Sequence, residues 1–187
     1  MRKLSVFNQV SLDGFFCDAR GDMSWAHQQD AEWTAFASEN ASGGGELLFG
    51  RITYEMMASF WPTPQARASA PIVAERMNGL PKVVFSKTLA QATWNNTRLL
   101  KGELTAEVRK LKAEPGPGMV LMGSGSIISQ LAQARLIDQY QFAINPIVLG
   151  RGRTLFESLE TKLGLKFVQS RNFKNGNVVV WYQAATE

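Results

Sequence analysis

The chain of 187 residues has a single cysteine, Cys17, and a single histidine, His27. One thiol excludes an intramolecular disulfide, and one Cys with one His cannot build a Cys/His metal cluster. Long hydrophobic runs are missing as well, since no stretch reaches the ~18 apolar residues of a membrane span. Met1-Arg2-Lys3 begins as a secretory leader does, but Asn8, Gln9, Ser11 and Asp13 interrupt the apolar run that should follow. The cytoplasm is the expected location, with no membrane partner. No long run of Lys or Arg is present either. The surplus of +4, with a pI near 9.4, is scattered, whereas a nucleic-acid binder concentrates it on one face. A basic pocket for an anionic cofactor accounts for it equally well. No Pro/Gly/Ser-rich linker divides the chain and no period repeats, so one domain spanning 1–187 is expected.

What is present alternates between strand-like and helix-like segments. Strands are predicted over 3–10, 46–49, 82–85, 94–100, 119–122 and 138–144. Helices are predicted from Asp30 to Glu39 with Asp30 as N-cap, from after Gly50 to Ser59, over 71–78, from Leu104 to Lys112, and from Ser126 to Ala134. Residues 18–29 read as polar, with a turn at Arg20-Gly21-Asp22. The end differs: strands over 165–173 and 177–183 flank Lys174-Asn175-Gly176-Asn177, and Asn-Gly between β-rich runs signals a hairpin. Alternation followed by a hairpin predicts an α/β fold with a mainly parallel sheet, flanking helices and an antiparallel edge.

Two strand-to-helix turns carry the functional signal. Gly45 to Ile52 nearly matches a phosphate loop, but Arg51 and Ile52 replace its Lys and Ser/Thr, and strand-forming residues occupy the place of a flexible cradle, so that motif is rejected. The turn itself keeps interest. Gly50 ends a strand, free N–H groups open a helix, Thr53 adds a hydroxyl and Arg51 a phosphate-matched fork; an ordinary helix start with a surface Arg is the plainer alternative. Gly123-Ser124-Gly125-Ser126 repeats the arrangement, although Ile128 stands where a dinucleotide fingerprint needs its third glycine. Alone it is a tight turn; paired with the first it suggests two turns meeting over one ligand. Ser86 and Lys87, after the strand at 82–85, suit an extra phosphate such as that of NADP, or form a solvated strand end. Asp13 and Asp30 are the candidate acids for catalysis, with a turn and a helix cap as their plainer roles. Trp25, Phe60 and Trp61 can stack on a flat substrate or simply pack, and His27 reads as a loop or core residue.

The order Val10-Ser-Leu-Asp-Gly14, Leu48-Phe-Gly-Arg-Ile-Thr-Tyr-Glu55, Lys82-Val-Val-Phe-Ser-Lys-Thr-Leu89, Gly123-Ser-Gly-Ser126, Leu136-Ile-Asp138 and Asn145-Pro-Ile-Val-Leu-Gly-Arg-Gly-Arg-Thr-Leu-Phe156 resembles the dihydrofolate reductase-like superfamily. It is most similar to a stand-alone form of the C-terminal reductase domain of the bifunctional riboflavin-biosynthesis deaminase/reductase. The resemblance covers about residues 3 to 183 and implies a mixed sheet of about eight strands with flanking helices, a homodimer, and NADPH. It implies that Gly50, Arg51 and Thr53 hold the pyrophosphate and part of the adenosine end. Ser86 and Lys87 would lie near the 2′-phosphate, and Gly123, Ser124, Gly125 and Ser126 would form a second phosphate loop. Asp13, Trp25, Phe60 and Trp61 would line the substrate side. The implied activity is that of a 5-amino-6-(5-phosphoribosylamino)uracil reductase; a dihydrofolate, pterin or small-carbonyl reductase and a non-catalytic nucleotide-binding module are the alternatives. The chain departs from the riboflavin reductases at Phe7, where they carry a lysine. It departs again at Met122 and near Met57, where they carry acids. No deaminase domain is expected beside it.

Overall fold

A computed structural model describes residues 1–26 and 30–185; His27 lies outside them. The strands are β1 (Leu4–Ser11), β2 (Phe15–Asp18), β3 (Glu46–Gly50), β4 (Lys82–Phe85), β5 (Thr97–Leu100), β6 (Met119–Met122), β7 (Gln139–Asn145), β8 (Gly152–Thr154), β9 (Leu165–Asn172) and β10 (Val178–Ala184). The helices are α1 (Ala31–Ser42), α2 (Arg51–Phe60), α3 (Pro64–Ser69), α4 (Pro71–Gly79), α5 (Leu104–Ala113) and α6 (Gly125–Gln133), with one 3-10 turn at Ser24–Ala26. Eight strands form one sheet in the order β5-β4-β3-β6-β1-β7-β10-β9. Every pair from β5 to β7 is parallel, and β10 and β9 close it antiparallel.

The central strands form because they are short and apolar throughout. Leu47, Leu48 and Phe49 on β3 and Val83 and Val84 on β4 are buried on both faces, as a parallel sheet between helices requires. Each such side chain contributes about 1.5–3 kcal/mol. On one face α5 and α6 pack Val108, Leu111, Ile128 and Leu131 against Leu4, Val6, Leu48 and Leu121. On the other, Tyr54 and Met77 join Leu47, Phe49, Val84 and Trp94, while Trp33 and Phe36 of α1 cover Ala143, Phe173 and Val179.

Asp30 caps α1 by accepting the Glu32 N–H, as its position before an amphipathic run predicts. The hairpin turns at Gly176, whose φ is +87°. Three elements were not anticipated. The Ala-rich α3 is too short and polar to show a period, although Thr63 caps it and Pro64 opens it. The short strands β2 and β8 pair antiparallel, Phe15 opposite Thr154. The eight-stranded sheet is therefore accompanied by a separate ribbon of β2 and β8.

The amino-terminal edge of the sheet is closed by buried charge. Arg2 reaches Glu46 at 2.9 Å, both side chains 6% exposed. Arg98 joins Glu46 to Glu114 at 3.0 and 3.3 Å. Lys82 is fully buried; its ammonium donates to the carbonyls of Asn78, Leu80 and Asn95 and lies 4.6 Å from the centroid of the Trp94 ring. Burial pulls its pKa down to about 8. Lys112 pairs with Asp138, whose Oδ2 also accepts the Leu4 N–H.

Candidate functional site

β3 and β6 are parallel neighbours, so the turns that follow them emerge side by side at the carboxyl edge. Gly50 donates its N–H to Ser124 Oγ at 3.0 Å, and Thr53 Oγ1 lies 2.9 Å from the same oxygen. One serine hydroxyl thus locks the two turns together. The approach is close enough to exclude side chains: a Cβ on Gly50 would sit 2.5 Å from Ser124 Oγ, and one on Gly123 would sit 2.8 Å from Thr53 Cγ2. Ser124 is held at φ +62°, a left-handed conformation that costs a non-glycine residue about 1–2 kcal/mol. Its two hydroxyl contacts oppose that cost.

Both helices that begin here lack a side-chain cap. By contrast α1, α3 and α5 are capped by Asp30, Thr63 and Glu103, and α4 opens on Pro71, which has no N–H to satisfy. Uncapped first turns leave backbone donors and the positive ends of two helix dipoles converging on one place, which is what an anion binds. The tight glycine contacts and the paired hydroxyls fit a pyrophosphate-bearing group at this point.

The remaining candidates are distributed around that pair of turns. Gly125 is buried, with Phe16 and the Thr154 carbonyl within 3.0 Å of where a Cβ would lie, so the β2–β8 ribbon packs onto the second turn. Ser126 is exposed in the first turn of α6. The Arg51 guanidinium is not brought to the cluster; it pairs with Glu55 at 2.9 Å on the helix surface, leaving its backbone N–H as its contribution to the turn. Ser86 follows Phe85, the register partner of Gly50, which places it one strand away. Its hydroxyl accepts the N–H groups of Thr88 and Leu89, and Lys87 beside it is exposed.

Asp13 lies at the end of β1 with its carboxylate occupied. It accepts from Ser11 Oγ at 2.7 Å and from the N–H groups of Leu149 and Gly150 at 3.1 and 2.7 Å. The Ser11 hydroxyl, with smaller help from these N–H groups, holds its carboxyl below the usual 3.8. In this arrangement Asp13 clamps the segment after β7 to the end of β1. Asp30 is the α1 cap. The Trp25 indole donates to the Asp22 carbonyl. Phe60 and Trp61 meet edge to face at 5.1 Å, and the Trp61 N–H points at Met57 Sδ. Among the described residues no hydrogen bond or ion pair joins Asp13, Asp30 or Trp25 to the glycine turns.

Two residues not singled out from the sequence belong in this region. Asn145 ends β7 beside Ser11, and Asn177 immediately precedes β10. Both are fully buried, and among the described residues Asn145 Oδ1 and both amide atoms of Asn177 have no partner. Buried amides of this kind take up a water or a polar ligand group. An Asn beside a strand end carries no signal in one sequence, so only the structure reveals them. Among the described residues no group of three or more His, Cys, Asp or Glu is placed to hold a metal ion, and no helix is long and apolar enough to cross a membrane.

Comparison with known proteins places this geometry. The model of the RibD C-terminal domain matches residues 2–179. The protein YyaP of Bacillus subtilis is 28% identical over 97% of this chain and 94% of its own. A putative riboflavin biosynthesis protein from Shewanella sp. PV-4 superposes with a TM-score of 0.75 at 26% identity, covering 98% of this chain and 99% of the other. The diaminohydroxyphosphoribosylaminopyrimidine deaminase/5-amino-6-(5-phosphoribosylamino)uracil reductase of Thermotoga maritima follows at 0.69 and 14%, with 98% of this chain and 57% of that longer one covered. Dihydrofolate reductase from Enterococcus faecalis, complexed with NADP(H), shares the fold at 0.65 and 13%, covering 98% and 97% of the two chains. Eight strands, mostly parallel, with an antiparallel closing hairpin and the matched residues 2–179 lead to one assignment: the chain belongs to the RibD C-terminal domain family and has the dihydrofolate reductase-like fold.

Proposed function

We propose that the protein is an NADPH-dependent reductase related to the reductase of riboflavin biosynthesis. The observation that carries this reading is the meeting of two uncapped helix N-termini through Ser124, Gly50 and Thr53. The backbone donors of Arg51, Thr53, Gly125 and Ser126 would hold the pyrophosphate, and Ser86 and Lys87 would flank the 2′-phosphate one strand away. When bound, NADPH would supply a hydride for a C=N or C=O carbon, the heteroatom's proton coming from water. The chain's own residues anchor and orient: the glycines permit close approach, and the Asp13 clamp holds the segment after β7 against β1. With its carboxylate committed to three donors, Asp13 acts on position more than on protons, and water serves as the proton source. The test is titration with NADPH and NADH, read by tryptophan-to-nicotinamide energy transfer. NADPH is expected to bind roughly tenfold more tightly, with the preference lost in Lys87→Ala. Failure to bind either nucleotide sinks the reading.

We also infer a homodimer. In support, all eight residues of β9 are exposed. On the sheet face shared with Val178, Val180 and Tyr182 it presents Leu165, Phe167, Ser170 and Asn172, none of them charged. An uncharged face meets its own copy across a two-fold axis without repulsion.

A further inference from the structure

We infer that Tyr54 is a positioning residue that sets the choice between NADPH and NADH. Through a closed ring of hydrogen bonds it fixes the β4–β5 connection, residues 86–96, relative to the first glycine turn. This role rests on the reductase reading and deepens it. Two successive residues in the first turn of α2 contact different segments. Thr53 meets Ser124 after β6. Tyr54 is 3% exposed, and its hydroxyl accepts the Trp94 N–H at 2.9 Å, in the β4–β5 connection. β3, which leads into α2, lies between β4 and β6. The two contacts therefore join the segments that follow both neighbouring strands.

The Tyr54 contact belongs to a ring. Trp94 is buried, and its own ring packs against Phe49 and Tyr54. Its indole N–H donates to Asn78 Oδ1 at 2.8 Å. The Asn78 amide nitrogen donates in turn to the carbonyls of Ala74 and Trp61 at 2.7 and 2.9 Å. Trp61 is the C-cap of α2, so the ring leaves α2 in its first turn and returns at its end. The Lys82 ammonium bonds the Asn78 and Asn95 carbonyls alongside. Each polar atom of the Asn78 side chain has a partner, and a fully satisfied buried network is rigid.

This ring bears on the residues assigned to the 2′-phosphate. Ser86 is fixed by the sheet, since its N–H donates to the Leu100 carbonyl at 3.0 Å. The chain beyond it depends on the ring. Leu89 and Ala92 pack against the cluster that contains Tyr54 and Trp94, and Trp94 anchors the far end. The distance between the diphosphate and the 2′-phosphate belongs to the nucleotide. A protein that binds both must hold its two subsites at a matching distance. Thr53 serves the first subsite and Tyr54 the second, from one rigid turn of helix. NADH has no 2′-phosphate and does not sense the second subsite.

Tyr54→Phe tests the role, because it keeps the aromatic packing and removes the acceptor of a buried N–H. Titration of parent and variant with NADPH and NADH is read by energy transfer from tryptophan. NADPH affinity is expected to fall on the order of tenfold, with NADH within about twofold of the parent. In the nucleotide-free variant the amides of Thr88 and Leu89 should exchange faster than in the parent. Asn78→Ala, which opens the ring at another point, should shift the preference in the same direction. The role is overturned if Thr88 and Leu89 exchange at parent rates or if the NADPH preference is unchanged. It is overturned as well if both nucleotides weaken equally, the result of a general loosening of α2. A parent that binds neither nucleotide, or both alike, defeats the NADPH reading itself and the role with it. A parent that prefers NADPH beside variants with the same preference defeats the role alone.

Discussion

The two edges of the central sheet are built from opposite materials. At the amino edge, Arg2, Glu46, Arg98 and Glu114 form one paired network, Lys82 satisfies three carbonyls, and Lys112 meets Asp138. At the carboxyl edge stand glycines, hydroxyls and helix starts whose backbone donors are left open. Buried charges that satisfy each other have nothing left for a ligand, whereas open N–H groups and a strained serine do. On the proposed reading the same parallel sheet concentrates stability at one end and recognition at the other, in keeping with the general placement of ligands at the carboxyl ends of parallel strands.

Substitutions separate the two edges. The largest effect is expected from Glu46→Ala, which removes the near carboxylate partner of the buried Arg2 guanidinium. Breaking a buried pair from one side costs about 3–5 kcal/mol, read as a lower midpoint in urea, while NADPH affinity of the folded fraction stays within about twofold because the sites are remote. An equal loss of NADPH binding would erase the distinction between the edges. Next is Phe167→Glu, on the outermost strand β9 and at neither the amino nor the carboxyl ends of the parallel strands. Placing a charge on the uncharged β9 face should convert the proposed dimer to a monomer in sedimentation, with the subunit affinity falling by about 2 kcal/mol or more; a parent protein that is already monomeric removes the dimer.

Ser124→Ala reverses the pattern of Glu46→Ala. It removes the hydroxyl that joins the two turns, so stability should fall by only about 1 kcal/mol while NADPH affinity falls about tenfold. The smallest effect belongs to Asp13. Its folded-state pKa is depressed below 3.8, so its stabilising contribution is fully present above that value and is lost as pH falls through the folded pKa. Amide exchange at Leu149 and Gly150 should accelerate over that acidic range, and Asp13→Asn should remove the pH dependence. A pH-independent exchange rate in the parent would discard the clamp.

Much of the scaffold was legible without coordinates. Lys82–Phe85 and Met119–Met122 have the boundaries that their apolar runs predict, and the hairpin turns where Asn175-Gly176 places it. These features depend on a residue and its near neighbours. The ribbon of β2 and β8 was not legible, because its strands are four and three residues long and lie far apart in sequence. The site was half legible. The glycine turns could be named, but Arg51 offers the same fork on paper whether it faces a phosphate or Glu55.

By itself the sequence determined most of the elements, the family and the two turns, since periodicity, caps and turn residues act over a few positions along the chain. Only the tertiary structure decided that Thr53 and Ser124 touch, that Asp13 is spent on the backbone of Leu149 and Gly150, and that Ile52, Met56 and Phe60 face outward. Those facts depend on strand order in the sheet, which brings segments tens of residues apart within hydrogen-bonding distance and which no local pattern encodes.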